Sequence, residues 1–229
     1  MDPSISPTQT SRRSSLYRRH SQLGAEFHRF GEAIAVHHYG SDEATQAQSL
    51  GLADLSTLPR VGFKGAGTPA WAEQCGVHLP HQPNWSSEQP DGTLVARLSS
   101  SELLMIGDYS GHSPLIDRLA AADRPERVYP LPRADSHSWL ALCGSHAADT
   151  LAKVCAVDLR PQHFENGQIA QTSLAKINAI ILRSDIGNLT NYAIFSDSSS
   201  VEYLWDSLLD AMAEHRGSPV GLEALTNNR

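Results

Sequence analysis

The chain has 229 residues, 40% of them hydrophobic and 19% charged, with a formal net charge of -7 at pH 7. That balance excludes a disordered polymer and leaves room for one large domain or two small ones sharing a core. The acidic excess argues against a nucleic-acid surface, and no run approaches the roughly 18 apolar residues of a membrane span.

Residues 1–15 are rich in Pro, Ser and Thr with almost nothing to bury, and read as a disordered tail. Arg12, Arg13, Arg18 and Arg19 stand among serines, a pattern shared by targeting segments and by frayed basic tails. No apolar stretch follows them, so they are not a secretory signal. From Leu16 to Ala47 regular structure is expected, its type undecided.

From Leu52 onward the chain repeats itself. The first unit has an apolar strand ending in Phe63-Lys64-Gly65, a helix, then Cys75-Gly76-Val77-His78-Leu79. The second has Trp139-Leu140-Ala141-Leu142-Cys143-Gly144, a helix, then Cys155-Ala156-Val157-Asp158-Leu159. Turn signals follow at Asp91-Gly92 and Asn166-Gly167. Two strands come after each: Thr93 to Leu98 with Leu103 to Ile106, and Ile169 to Leu174 with Asn178 to Leu182. A helix closes each unit. Thr68-Pro69 and Ser113-Pro114 pair a capping hydroxyl with a proline at the first helical position. Ser199 and Glu202 form a capping-box pattern before the stripe Val201, Leu204, Trp205, Leu208, Leu209 and Met212, which Gly217 and Pro219 stop. The reading is an α+β protein of two β-α-β-β-α units, about 52–124 and 136–216, within a domain over 16–219. Residues 220–229 form a second tail. Two sheets, each covered by helices on one face, are implied.

Cys75, Cys143 and Cys155 are an odd number at wide spacing, which reads as reduced core thiols in a cytoplasmic protein. The repeat makes Cys75 and Cys155 equivalent structural positions, and no Gly-x-Ser-x-Gly elbow is present, so no catalytic residue is assigned. Cys75, His78 and His81 have zinc-like spacing but no paired second half, although His37 or His38 could join from elsewhere in the fold; no metal site is expected. Gly65-Ala66-Gly67 lacks the third glycine of a dinucleotide loop and reads as a tight turn. Arg60, Arg97 and Arg183 lie at strands, where each could pair with a carboxylate, whether of an anionic ligand or of a salt bridge.

The segments Cys75-Gly76-Val77-His78-Leu79-Pro80 to Pro83-Asn84, Val157-Asp158-Leu159-Arg160-Pro161 with Phe164 and Gly167, Ala170-Gln171-Thr172 with Leu174-Ala175, Arg183, and Ser200 before Tyr203-Leu204-Trp205 resemble the gamma subunit of heterotetrameric sarcosine oxidase. The front resembles the glycine-cleavage T-protein, through Leu16-Tyr17, His20, Gly24-Ala25, Tyr39-Gly40 and Gly51-Leu52-Ala53-Asp54-Leu55-Ser56. Together they imply the T-protein folate-binding fold, with ferredoxin-like halves and no counterpart of its C-terminal barrel.

The gamma-subunit resemblance implies a non-catalytic subunit of a flavoenzyme that demethylates sarcosine or a related N-methyl amine. It implies larger partner subunits carrying FAD, FMN and NAD. The alternative is a stand-alone tetrahydrofolate-dependent aminomethyl- or methyltransferase, or a folate-binding protein. Arg60, Arg97, Gln171 and Arg183 are the candidate ligand or interface contacts. The acidic pair that T-proteins carry in a Gly-Ile-x-Asp-Asp segment is missing between Asn84 and Arg97. Their Tyr-Thr-Gly-Glu motif is replaced by Arg183-Ser184-Asp185-Ile186-Gly187. Those departures imply a fold kept for assembly rather than for folate chemistry.

Overall fold

A computed structural model describes residues 6–10, 12–30 and 33–227. After a 3-10 turn at Pro7–Gln9, the chain forms α1 (Tyr17–Gln22), the hairpin β1 (Glu26–Phe30) and β2 (Ala33–His38), α2 (Glu43–Leu50) and β3 (Gly51–Asp54). The first repeat comprises β4 (Arg60–Lys64), α3 (Thr68–Gln74), β5 (Trp85–Glu88), β6 (Leu94–Ser99), β7 (Glu102–Ile106) and α4 (Pro114–Ala121). A linker of β8 (Tyr129–Leu131) and the short α5 (Arg133–Ser136) leads to the second. That repeat comprises β9 (His137–Cys143), α6 (Ala147–Ala152), β10 (Ile169–Leu174), β11 (Ile177–Arg183), β12 (Asn191–Asp197) and α7 (Val201–Met212). A 3-10 turn at Ala213–His215, β13 (Ser218–Pro219) and α8 (Leu222–Thr226) end it. No helix among the described residues is long and apolar enough to cross a membrane.

The duplication is present, with one strand more per unit than the sequence pattern suggested. The sheets run β5-β6-β7-β4-β8 and β10-β11-β12-β9-β3-β13. Each repeat therefore reads β-α-β-β-β-α. The extra strands are β5, whose Trp-Ser-Ser-Glu has little apolar alternation, and β12, which lies between the second unit's expected strands and its closing helix. The outer strands are exchanged. β3 precedes the first repeat yet pairs with β9 of the second, while β8 follows the first repeat and pairs back onto β4.

Alternation along the strands stacks four layers, helix–sheet–sheet–helix. In β9, Trp139, Ala141 and Cys143 face the first sheet, while Leu140 and Leu142 face α6 and α7. In β7, Leu104 and Ile106 face the second sheet, while Leu103 and Met105 face α3 and α4. The apolar stripe of α7 is buried as its spacing demands, with Trp205 and Leu208 at 1% and 0% exposure. Truncating such a leucine to alanine costs about 2–5 kcal/mol.

Local details depart from the sequence reading in instructive ways. Ser113 caps α4 as expected, accepting from the Ile116 N–H. Thr68 does not cap α3; Gly67 holds that position and the Thr68 hydroxyl is buried. Before α7 the cap belongs to Asp197, which accepts from Ser199 N–H on a leading 3-10 turn. Glycine is required at Gly65 and Gly144, with φ of 131° and 109°, where a Cβ would meet the carbonyls of Arg127 and Ser49 at 2.0 and 2.4 Å.

The described parts of the ends are docked as well. Arg12 bridges to Ala33 and pairs with Asp135 at 3.1 Å. Residues 222–226, within the stretch read as a tail, form α8, because Leu222, Ala224 and Leu225 have the intersheet core to pack against.

Candidate functional site

A cleft of about 540 Å³ opens between the two sheets beside the seam where they join. That seam consists of backbone bonds from Ser86 N–H to the Gly167 carbonyl (2.8 Å) and from Ile169 N–H to the Asn84 carbonyl (2.9 Å). The volume lies within the range of small-molecule sites. The cleft is lined by Trp139, Tyr109, Ile106, Leu94 and Ile186, with Trp139 and Tyr109 ring centroids 6.1 Å apart. Its polar lining is acidic: Glu88 from β5, Asp108 after β7 and Asp185 after β11, against the single cation Arg183.

Arg183 is already engaged. Its Nε and Nη2 donate to Asp185 at 3.1 and 2.6 Å, and Nη1 donates to the Pro161 and Phe164 carbonyls. Asp185 also accepts from the Asn191 N–H. What the cleft offers a ligand is an aromatic wall and carboxylates, a combination suited to a flat heterocycle that presents N–H donors. The carboxylates were not anticipated. Glu88 lies on the strand that the sequence pattern hid, and Asp108 and Asp185 reach the cleft only because the two sheets face each other.

The other three candidates lie elsewhere. Arg60 is 3% exposed, and its guanidinium donates to the carbonyls of Ser56, Leu58, Ala134 and His137. Burial pulls its pKa down to about 10, so it stays protonated at neutral pH. Arg97 donates to the Pro80 and His81 carbonyls. Gln171 donates to Asn84 Oδ1 at 2.7 Å and to the Leu98 carbonyl at 2.6 Å, tying β10 to the first repeat.

A second polar centre sits in the front segment. His20 Nε2 lies 2.9 Å from Asp54 Oδ2, and Tyr39 Oη lies 2.8 Å from His20 Nδ1. The Ser14 hydroxyl and the Ser56 N–H donate to the same carboxylate. Burial alone would raise the Asp54 carboxyl, but His20, then Ser14 and Ser56, hold it below its ordinary value. Burial and the nearby Asp54 push the Tyr39 phenol up. The serine donates to the carboxylate and not to the imidazole, so no nucleophile is paired with a base. The network fastens α1 and β2 to β3.

Cys143 is fully buried, its thiol pushed up to about 12 by that burial, and Cys155 is buried too, as core packing requires. Among the described residues two groups bring three metal-type ligand atoms together: His37, His38 and Glu223, and His146, Asp149 and His215. Cys75, His78 and His81 are in neither.

Residues 88–229 match the family model of the GCVT N-terminal domain. Among curated proteins the chain is 29% identical over 182 residues to sarcosine oxidase subunit gamma of Corynebacterium sp. (strain P-1), covering 78% of this chain and 87% of that one. It is 29% identical over 229 residues to an aminomethyltransferase of Frankia alni, covering 93% of this chain and 61% of the relative. Among solved structures, it resembles a chain of the heterotetrameric sarcosine oxidase of Corynebacterium sp. U-96 with TM-score 0.63 and 29% identity, covering 86% of that chain. The aminomethyltransferase T of Bartonella henselae matches with TM-score 0.71, covering 60% of that chain, and at 19% identity shows the fold alone.

Proposed function

The chain belongs to the GCVT N-terminal domain family, and from that premise we propose that it serves as the gamma-type, non-catalytic subunit of a heterotetrameric sarcosine-oxidase-like flavoenzyme. It is homologous to the gamma subunit of heterotetrameric sarcosine oxidase. The observation that carries the proposal is likeness in both sequence and fold to one kind of protein. Gamma-subunit relatives are 28–29% identical over 84–87% of their length. The matching chain of the solved heterotetrameric enzyme has a TM-score of 0.63 at 29% identity, against 19% identity for the solved aminomethyltransferase T. In this reading the larger partner subunits carry FAD, FMN and NAD and oxidise the N-methyl group of sarcosine or a related amine.

Affinity purification of the tagged chain from its own host tests the proposal. Co-elution of larger chains with a flavin absorption spectrum is the expected result. A colourless, lone 24.9 kDa species would overturn it.

The cleft favours a second role for the same chain, binding of tetrahydrofolate. The Tyr109–Trp139 wall suits the flat pterin ring, and Asp185 and Glu88 suit its amino and ring N–H donors. The ligand's own contribution would be nitrogens that accept a one-carbon unit. Turnover of a methylated amine with tetrahydrofolate by the isolated chain would favour the stand-alone transferase; binding without turnover is expected.

A further inference from the structure

Away from the cleft and the His20 network, one of the two groups of ligand-type side chains among the described residues lies where the N-terminal hairpin meets the C-terminal helix. His37 and His38 end β2, Glu223 lies in the first turn of α8, and each offers a ligand atom within 4.8 Å of the other two. His37 Nε2 stands 3.4 Å from Glu223 Oε2. His38 Nε2 faces Glu26 Oε2 at 3.5 Å, while its other ring nitrogen, Nδ1, is buried with no hydrogen-bond partner. His28 stacks on His37 with ring centroids 3.6 Å apart. A depression of about 480 Å³ bordered by His38, Gly40, Glu43 and Glu223 gives solvent a way in.

Ion pairing accounts for the His37–Glu223 contact but leaves His38 Nδ1 unexplained, since a buried ring nitrogen without a partner is costly. A bound cation would use that lone pair. Two imidazoles and one carboxylate form a borderline N2O donor set, which suits zinc-type ions and not magnesium or calcium. A carboxylate on the far nitrogen of a ligating histidine is the usual outer support of such a site, and Glu26 stands in that position. We propose that His37, His38 and Glu223 form a binding site for one divalent transition metal of the zinc class, with Glu26 orienting His38. The ion clasps the two ends of the described chain. At this junction the backbones already touch closely: a Cβ on Gly221 would meet the His37 carbonyl at 2.0 Å.

The test uses the full chain with any affinity tag removed, stripped by chelator and titrated calorimetrically with Zn2+ and separately with Mg2+. Binding of one Zn2+ per chain and none of Mg2+ is expected. At a hundredfold excess over Kd the ion should raise Tm by at least about 5 °C. Glu223→Gln and His37→Gln should each weaken Zn2+ affinity tenfold or more, and His146→Gln should leave it unchanged. Glu223 is half exposed, so its variant keeps the test usable if His37→Gln folds poorly. No Zn2+ binding overturns the site, as does binding that survives both substitutions or is lost with His146→Gln. The outcome is independent of the subunit proposal, since it needs no partner.

Discussion

Counted back from the equivalent glycines Gly65 and Gly144, Arg60 in the first repeat stands where Trp139 stands in the second. Trp139 fills the layer between the sheets, with Tyr109 and Phe195 ring centroids 6.1 and 5.6 Å away, and provides the wall of the cleft. Arg60 buries a charge against four carbonyls and braces the loop after β3 to the linker around α5. One backbone position thus does two jobs: an apolar plug where a cavity opens, and a polar cross-tie where the chain passes between repeats. A duplicated fold can lose symmetry of chemistry while keeping symmetry of hydrogen bonding.

The largest effects should come from exchanging these two solutions. Arg60→Met leaves the four carbonyls without their donor and is expected to cost about 3–5 kcal/mol by urea denaturation. Trp139→Ala should cost a similar ~3–5 kcal/mol, and it should also change the cleft, which Arg60→Met should not. Equal cleft effects from both substitutions would break the comparison.

A smaller loss, about 2–3 kcal/mol at neutral pH, is expected for Asp54→Asn, since it weakens the buried carboxylate's bonds to His20, Ser14 and Ser56. The sign with pH follows from the lowered carboxyl. The contribution of Asp54 is present above its unfolded value of 3.8 and is lost as pH falls through the lower folded value. His137 answers in a different window. Burial, then Arg133, depress it from 6.5 to about 4, so the native ring stays neutral while the unfolded chain takes up a proton. Stability should therefore fall as pH drops from 6.5 to 4, and His137→Gln should flatten that slope in a pH series of Tm measurements.

Asp185→Asn comes next, at about 1 kcal/mol of stability, because Arg183 keeps its two carbonyl partners. The same substitution should weaken tetrahydrofolate binding at least tenfold by calorimetry. Smallest is Arg19→Ala, whose pairs with Glu202 and Asp206 are solvent-screened; its loss should stay within about 0.5 kcal/mol.

These positions also mark what sequence patterning can resolve. The continuous apolar runs of β9 and β7, repeated between the two units, and the period-3.6 stripe of α7 were legible because each is deeply buried. The pattern missed β5, which is largely polar, and β12, whose Asn191-Tyr192-Ala193-Ile194-Phe195 falls outside the two strands read after each turn. Arg60 looked like a ligand contact because an arginine on a strand carries no mark of burial; only the four carbonyls around it identify its role. His20, Tyr39 and Asp54 could each be matched to the T-protein opening, but their meeting in one network depends on α1 and the end of β2 being brought against β3. The acidic character of the cleft was hidden for a related reason, since Glu88, Asp108 and Asp185 are far apart in the chain and meet only across the two sheets.

The exchange of β3 and β8 bears on how the protein is made. A chain emerging from the ribosome presents β3 long before its partner β9 exists, so the front segment must wait, with Leu50 and Leu52 uncovered, until residue 143 has been synthesised. The first sheet, by contrast, can close once β8 appears at residue 131. The second sheet also takes up β13, so it can be completed only after residue 219 has been synthesised, and the front segment is exposed to chaperones and proteases for that interval.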